Sequence, residues 1–226
     1  MRWYDKEAEK QIRAELPFTF LLLDELATVK GWHEPSESGI YANEIRDTRQ
    51  DVLVVRAFKG GELVSGLYAN IRDSIVAKGG HYNASLYIAY KDGSELRIGN
   101  ISLKGAAAGA WMEFKRNAPS KKDANGKSLK AFYVDAIKVI GYKDAKKGGT
   151  AYRVPEFALA PTTDATNQQA AALDAELQAF LSDYLKRPKA ESVAPGSSPE
   201  NDNAPPPDDY SQTRKYPDNF DSDPPF

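Results

Sequence analysis

Apolar positions along this chain alternate in short runs more often than they recur at helical spacing, and glycine, proline or aspartate cuts most runs. Asp51–Phe58 (DVLVVRAF) is the clearest strand: its β-branched density carries no helical stripe, and Gly60-Gly61 turns it into a second run, Glu62–Leu67. Ala84–Tyr90 and Glu95–Leu103 flank Asp92-Gly93, a dipeptide that favours a tight hairpin. Phe132–Tyr142 predicts a further strand, followed by a basic Gly-rich turn over Lys143–Thr150 and a short strand at Tyr152–Val154. Phe18–Leu26 (FTFLLLDEL) is apolar enough for a buried strand, although density alone also admits a short helix. Ile40–Arg46 predicts another strand, beyond a loop marked by Gly31, Pro35 and Gly39.

Helical spacing is confined to a few places. Tyr4, Ala8, Ile12 and Leu16 form one stripe, which predicts a helix over 4–16 ended by Pro17. Asn70–Ala77 predicts a short helix closed by Gly79-Gly80, and alanines favour another within Gly105–Phe114. Asn117–Lys130 is polar and lysine-rich, which predicts a mobile loop. The last ordered element is a helix over 164–186, with Thr166 and Gln169 fitting a capping box. Its stripe of Leu173, Leu177, Phe180, Leu181, Tyr184 and Leu185 must bury against the domain or against a second subunit of a homo-oligomer, and Pro188 stops it. Six or seven short strands with a small helix between them predict a mainly β fold, a small antiparallel barrel with added helices. There are no internal repeats.

Charge changes the picture. The net −2 of the 226 residues conceals a block, 91–153, with fourteen bases and six acids, a net +8. Residues 190–226 hold eight acids, two bases and eight of the fourteen prolines. Such a run buries too little apolar surface to offset its ordering entropy, so the expectation is a domain over 1–189 and a disordered acidic tail. The tail closes on Asp218, Phe220, Asp221, Asp223, Pro224, Pro225 and Phe226, where an apolar ring and a carboxylate suit capture in a small basic-rimmed pocket. A basic block and a tethered acidic segment suggest a polyanion partner with a built-in competitor.

Composition also excludes chemistry. The absence of cysteine removes disulfides and thiolate metal sites. No apolar run approaches the ~20 residues of a membrane span, and Met1–Asp5 does not read as a signal peptide, so a cytoplasmic setting is expected. Asn125-Gly126-Lys127-Ser128 ends like a phosphate-binding loop, but Lys121 stands where that loop needs glycine. His33 and His81 sit in expected loops, and Asp24-Glu25 with Glu44 and Asp47 serve a metal only if the fold gathers them. No catalytic, cofactor or metal residues are assigned.

What remains is aromatic residues interleaved with bases, the combination that holds single strands by stacking and phosphate contact. Trp32, within Lys30-Gly31-Trp32-His33, lies in an expected loop where a large ring has little reason to be buried. Tyr87 falls on the less apolar side of its strand, and Tyr82 precedes it, whereas Trp111 in its alanine-rich run reads as core. Lys30, Arg46, Arg49, Arg56, Lys59, Arg97, Lys104, Lys115 and Lys138 lie in or beside strands as candidate phosphate contacts.

The acidic ending with Pro-Phe resembles the C-terminal tip of bacterial and phage single-stranded DNA-binding proteins. The body resembles the divergent members of tailed bacteriophages along Leu16–Leu26, Ser38–Asp47, Gly66–Asn70, Leu86–Tyr90 and Gly99–Ser102. The resemblance implies an OB-fold, DNA held across its face during replication or recombination, and a tip that recruits replication or repair proteins and competes with DNA. It assigns no contacts residue by residue. The alternatives from other classes are a non-enzymatic phage or plasmid assembly factor, dimerising through its last helix, and a metal-dependent nuclease.

Overall fold

The computed structural model describes residues 2–5, 10–13, 15–122 and 126–186. They open with a hairpin, β1 (Arg2–Asp5) against β2 (Lys10–Arg13), followed by β3 (Phe18–His33), β4 (Ser38–Ala42), β5 (Leu53–Ala57) and β6 (Gly61–Gly66). Helix α1 (Tyr68–Ala77) leads to a second pair of long strands, β7 (Gly80–Asp92) and β8 (Glu95–Lys104), and then to helix α2 (Ala106–Asn117). Two short strands, β9 (Ser120–Lys122) and β10 (Ser128–Lys130), precede the β11 (Ala136–Lys147) and β12 (Thr150–Ala160) hairpin and helix α3 (Asp164–Lys186). The fold is mainly β. The described residues divide into two compact units: 26–83 with 179–186 form the first, and 2–5, 10–13, 15–25, 84–122 and 126–178 the second.

In the first unit, the second half of β3 pairs antiparallel with β4, β4 with β5 and β5 with β6, and the run does not close into a barrel among the described residues. Strand residues alternate sides, so Leu53, Val55 and Ala57 of β5 are buried while Val54 and Arg56 are only half-buried. The buried side joins Ala27, Val29, Ile40, Ile45, Leu53 and Val55 to Tyr68, Ile71 and Ile75 of α1. Those three recur at i, i+3 and i+7, one stripe of a helix. Gly79, with φ of 84°, supplies the left-handed residue that ends this turn.

In the second unit, β11 pairs with the first half of β3 through Ile137–Phe20, Lys138–Thr19 and Val139–Phe18, and with β12 along nearly its whole length. Trp111 of α2 is fully buried, as the alanine-rich run suggested, among Phe114, Phe132 and Phe157. A second cluster joins Leu21, Ala89, Ala136 and Ala170, bringing the start of α3 onto this unit. Among the described residues no helix is long and apolar enough to cross a membrane.

Several expectations are corrected. Among the described residues of 4–16 there is no helix: backbone pairing sets Asp5 opposite Lys10 and Trp3 opposite Ile12, a strand pair that the four-residue stripe conceals. Gly31 and Gly39 do not mark a loop but lie inside β3 and β4, where the Gly79-Gly80 backbone closes on Gly31 and the Phe58 ring on Gly39. The 117–130 segment contains β9 and β10, and the expected turn at 143–150 narrows to Gly148-Gly149, since main-chain pairing continues through the lysines of β11. The cap of α3 is Thr163, whose Oγ1 accepts the Thr166 N–H at 3.2 Å, so Thr166 is already inside the helix. Phe180 leaves the stripe, 45% exposed and stacked on Tyr184.

The tightest packing in the first unit is between backbones. The Trp32 N–H donates to the Gly79 carbonyl at 3.2 Å, and a Cβ on Gly31 would fall on that same carbonyl and 2.8 Å from Cα of Gly80. Neither neighbour is a movable side chain. Gly31→Ala is therefore expected to destabilise by at least the ~1–3 kcal/mol typical of overpacking, read as a lowered thermal midpoint. An unchanged midpoint would show that this contact is not rigid.

Candidate functional site

Directly opposed residues of an antiparallel ladder point to the same side of the sheet. Two rows across β3, β4 and β5 therefore share the side opposite the core. One is Lys30, Tyr41 and Arg56; the other is Trp32, Gly39 and Phe58. Phe58 lies one residue beyond β5, held in line by its N–H, which donates to the Gly39 carbonyl at 3.1 Å. The three rings are 38%, 39% and 64% exposed for Trp32, Tyr41 and Phe58. Tyr41 and Phe58 each follow a buried residue, Ile40 and Ala57, so their exposure results from alternation, while Trp32 stands between the half-buried Gly31 and His33. Tyr41 and Phe58 stack with centroids 4.6 Å apart and planes at 28°.

The edges of this face are tied down. His33 Nδ1 and Ser36 Oγ are 2.7 Å apart, Ser36 Oγ reaches Ser38 Oγ at 2.9 Å, and Ser38 Oγ accepts the Lys59 N–H at 3.1 Å. This chain links the β3–β4 connection to the residue following Phe58. At the other end Thr28 Oγ1 donates to the Ala42 carbonyl at 2.9 Å. Arg56 also faces Glu62 of β6 at 4.0 Å, an ion pair at the limit of contact.

The expected site residues are thus divided. Lys30, Trp32 and Arg56 come together on the face, with exposed Lys59 beside Phe58. Trp32 belongs to β3 rather than to a loop, and its exposure comes from its side of the sheet. Arg46 and Arg49 are exposed in a turn organised by carboxylates: Asp51 accepts the N–H groups of Arg46 and Asp47, and Asp47 accepts that of Arg49. Tyr82 does not join them; it packs edge-on against Tyr68 on the core side, which its bulk helps to fill.

Tyr87, Arg97, Lys104, Lys115 and Lys138 belong to the second unit. Tyr87 is half-buried, and the side of β7 expected to be open is covered, since Ser85 and Ala89 are buried. Arg97 is exposed beside Asp92 at 3.2 Å, Lys104 is exposed at the end of β8, and Lys138 is half-buried in β11. Lys115 is better explained by structure. It lies on α2, its ammonium meets both Glu25 oxygens at 2.7 Å, and it sits 5.7 Å over the Trp111 ring.

The carboxylates considered for a metal have other work. Glu25 holds Lys115, Asp24 accepts a hydrogen bond from Gln178 at 3.1 Å, and Asp47 shapes its own turn. Among the described residues no three histidine or acidic side chains gather closely enough to hold an ion. Desolvation first, and then the charges of Glu25 and Asp24, hold the Tyr133 phenol above its usual pKa. Gly126, in the run resembling a phosphate loop, has a φ of 79° and leads directly into β10, a turn with no helix behind it. The expected partner-binding residues Asp218, Phe220, Asp221, Asp223, Pro224, Pro225 and Phe226 lie outside the described residues.

Tyr41, Phe58 and Gly39 are the members of this face that sequence reasoning missed. Their only signal is the alternation Gly39-Ile40-Tyr41 set against Arg56-Ala57-Phe58, which acquires meaning once the register between the two strands is known. No family model, curated protein or solved structure matches the chain.

Because Glu25 and Lys115 are both mostly buried, removing one leaves the other without its partner. Lys115→Met is expected to cost ~1–3 kcal/mol of stability, seen as a lower urea midpoint at constant m-value. A midpoint equal to that of the parent would return Lys115 to the pool of available cations.

Proposed function

We propose that the chain binds single-stranded DNA with little sequence preference, through the exposed side of β3, β4 and β5. The observation that carries this reading is the pairing of rows: Lys30 and Arg56 flank one ring, and two further rings flank a glycine in the next row. The rows are about 7 Å apart, two residues along a strand. Cations in one row suit the phosphates of an unpaired strand, and rings in the other suit its bases. Every base has a π face, so such stacking is tolerant of sequence, while duplex DNA keeps its faces covered.

The order of elements supports the finer architecture. A long first strand, a hairpin region, helix α1 and a second hairpin, with β3 pairing both β4 and β7, follow the course of an OB-fold, whose five-stranded barrel is partly open. That fold presents oligonucleotides to the face of its second and third strands. On this reading the chain protects single strands without catalysing a reaction. Its acidic residues 190–226 compete for the same face, and the tip at 218–226 recruits replication or repair proteins.

Electrophoretic shift of oligo-dT with and without Mg²⁺ separates the classes: binding without cleavage is expected, cleavage would mark a nuclease, and no shift would leave an assembly role. Trp32→Ala and Phe58→Ala are each expected to weaken binding by ~1–3 kcal/mol with little change in melting. Lys30→Ala and Arg56→Ala should each reduce the slope of log K against log salt by about 0.7, one phosphate contact. If all four variants bind and titrate like the parent, the strand lies elsewhere.

A further inference from the structure

We infer that Gly39 is a positioning residue of this face: its missing side chain lets Phe58 lie across β4 and stack on Tyr41, which sets the ring plane offered to a base. The inference rests on the single-strand reading above and assigns a role to a residue that makes no contact with the ligand through a side chain.

Glycine in the middle of a paired strand weakens it and calls for a reason. Backbone conformation does not supply one here, since Gly39 is not among the glycines with positive φ. Close backbone approach of the kind seen at Gly31 is also absent. Around a Cβ built on Gly39, the two nearest atoms are both from the Phe58 ring, Cδ2 and Cε2 at 3.2 Å, and the next is the Gly31 carbonyl at 3.9 Å. What occupies the space of the absent side chain is therefore Phe58. The neighbouring row explains the direction of its lean. Phe58 stacks on Tyr41 at 4.6 Å, and Tyr41 stands two residues beyond Gly39 on the same side of the same strand.

A side chain at 39 would push this ring by a few tenths of an ångström or more. Phe58 is 64% exposed, so it can move outward at little cost to folding. What it would lose is the stack. Stability and ligand binding should therefore separate, because a β-branched residue favours the strand while displacing the ring.

The test is a double-mutant cycle on oligo-dT affinity, using Gly39→Val, Phe58→Ala and the pair, with the melting temperature of each. Gly39→Val is expected to weaken binding roughly five- to tenfold, the lower range for one stacked base, with melting unchanged or raised. Combined with Phe58→Ala it should add less than about twofold, because the ring it acts through is gone. Gly39→Ala, one methyl group, runs the same cycle if the valine variant does not fold. Binding within twofold of the parent for a folded Gly39 variant would overturn the inference. So would a loss undiminished in the Phe58→Ala background, since the new side chain would then be obstructing the ligand itself. Wild-type affinity in both Trp32→Ala and Phe58→Ala is a different failure, in which the face does not bind and Gly39 loses its role with it.

Discussion

A slip of one residue between β3 and β4 would carry Lys30 and Trp32 to the buried side of the sheet and bring Val29 and Gly31 out. The proposed site depends on that register more than on any single side chain. Three features oppose the slip. Val29, Ile40 and Val55 are buried on the far side, so a shift exposes their apolar surface. Gly31 lies against the Gly79 carbonyl, a place no other residue of β3 can take. The hydrogen-bonded series from His33 through Ser36 and Ser38 to the Lys59 amide joins the β3–β4 connection to the end of β5. The face that meets solvent is held by the packing of the face that does not.

Charge is a weaker guide to the site than its totals suggest. The net +8 of block 91–153 already counts the acids that pair with Lys121, Arg97 and Arg153 (Asp135, Asp92 and Asp144), and two acids outside the block, Glu25 and Glu156, take up Lys115 and Lys143 as well. The exposed pairs among these add little stability, but each pair lowers the field available to a polyanion. The Glu156 partner, through its hydrogen bond and its charge, holds the Lys143 ammonium above its ordinary pKa. The candidate face has fewer cations and is distinguished by where its rings stand. Stacking surface, more than charge density, singles it out.

Local signals made part of this legible. The β-branched run at β5, the Asp92-Gly93 turn, the buried Trp111 and the long α3 all follow from neighbours in sequence. The misreadings share a cause. Residues 4–16 satisfy a helical stripe and a hairpin equally well until pairing partners are known, and Gly31 and Gly39 look like loop glycines until the close approach of backbone and ring is seen. Trp32 is exposed on a strand rather than in the expected loop, and Tyr41 and Phe58 give no local signal, because the side a residue occupies is set by its pairing partners, from seven residues away for Trp32 and Gly39 to nineteen for Gly39 and Phe58. Tyr82 and Lys115 failed in the opposite sense: an aromatic and a base beside strands met the pattern, yet the core and Glu25 already claim them.

The most direct measurement is the place where an unpaired strand touches the chain. Photo-crosslinking of full-length protein to a bromodeoxyuridine oligonucleotide, with the modified residues located by mass spectrometry, reports it without altering any side chain. The account predicts adducts at Trp32, Tyr41 or Phe58, suppressed by unlabelled oligo-dT. Adducts confined to the second unit, at Tyr133, Tyr142 or Tyr152 for example, with none between residues 30 and 58, would contradict it.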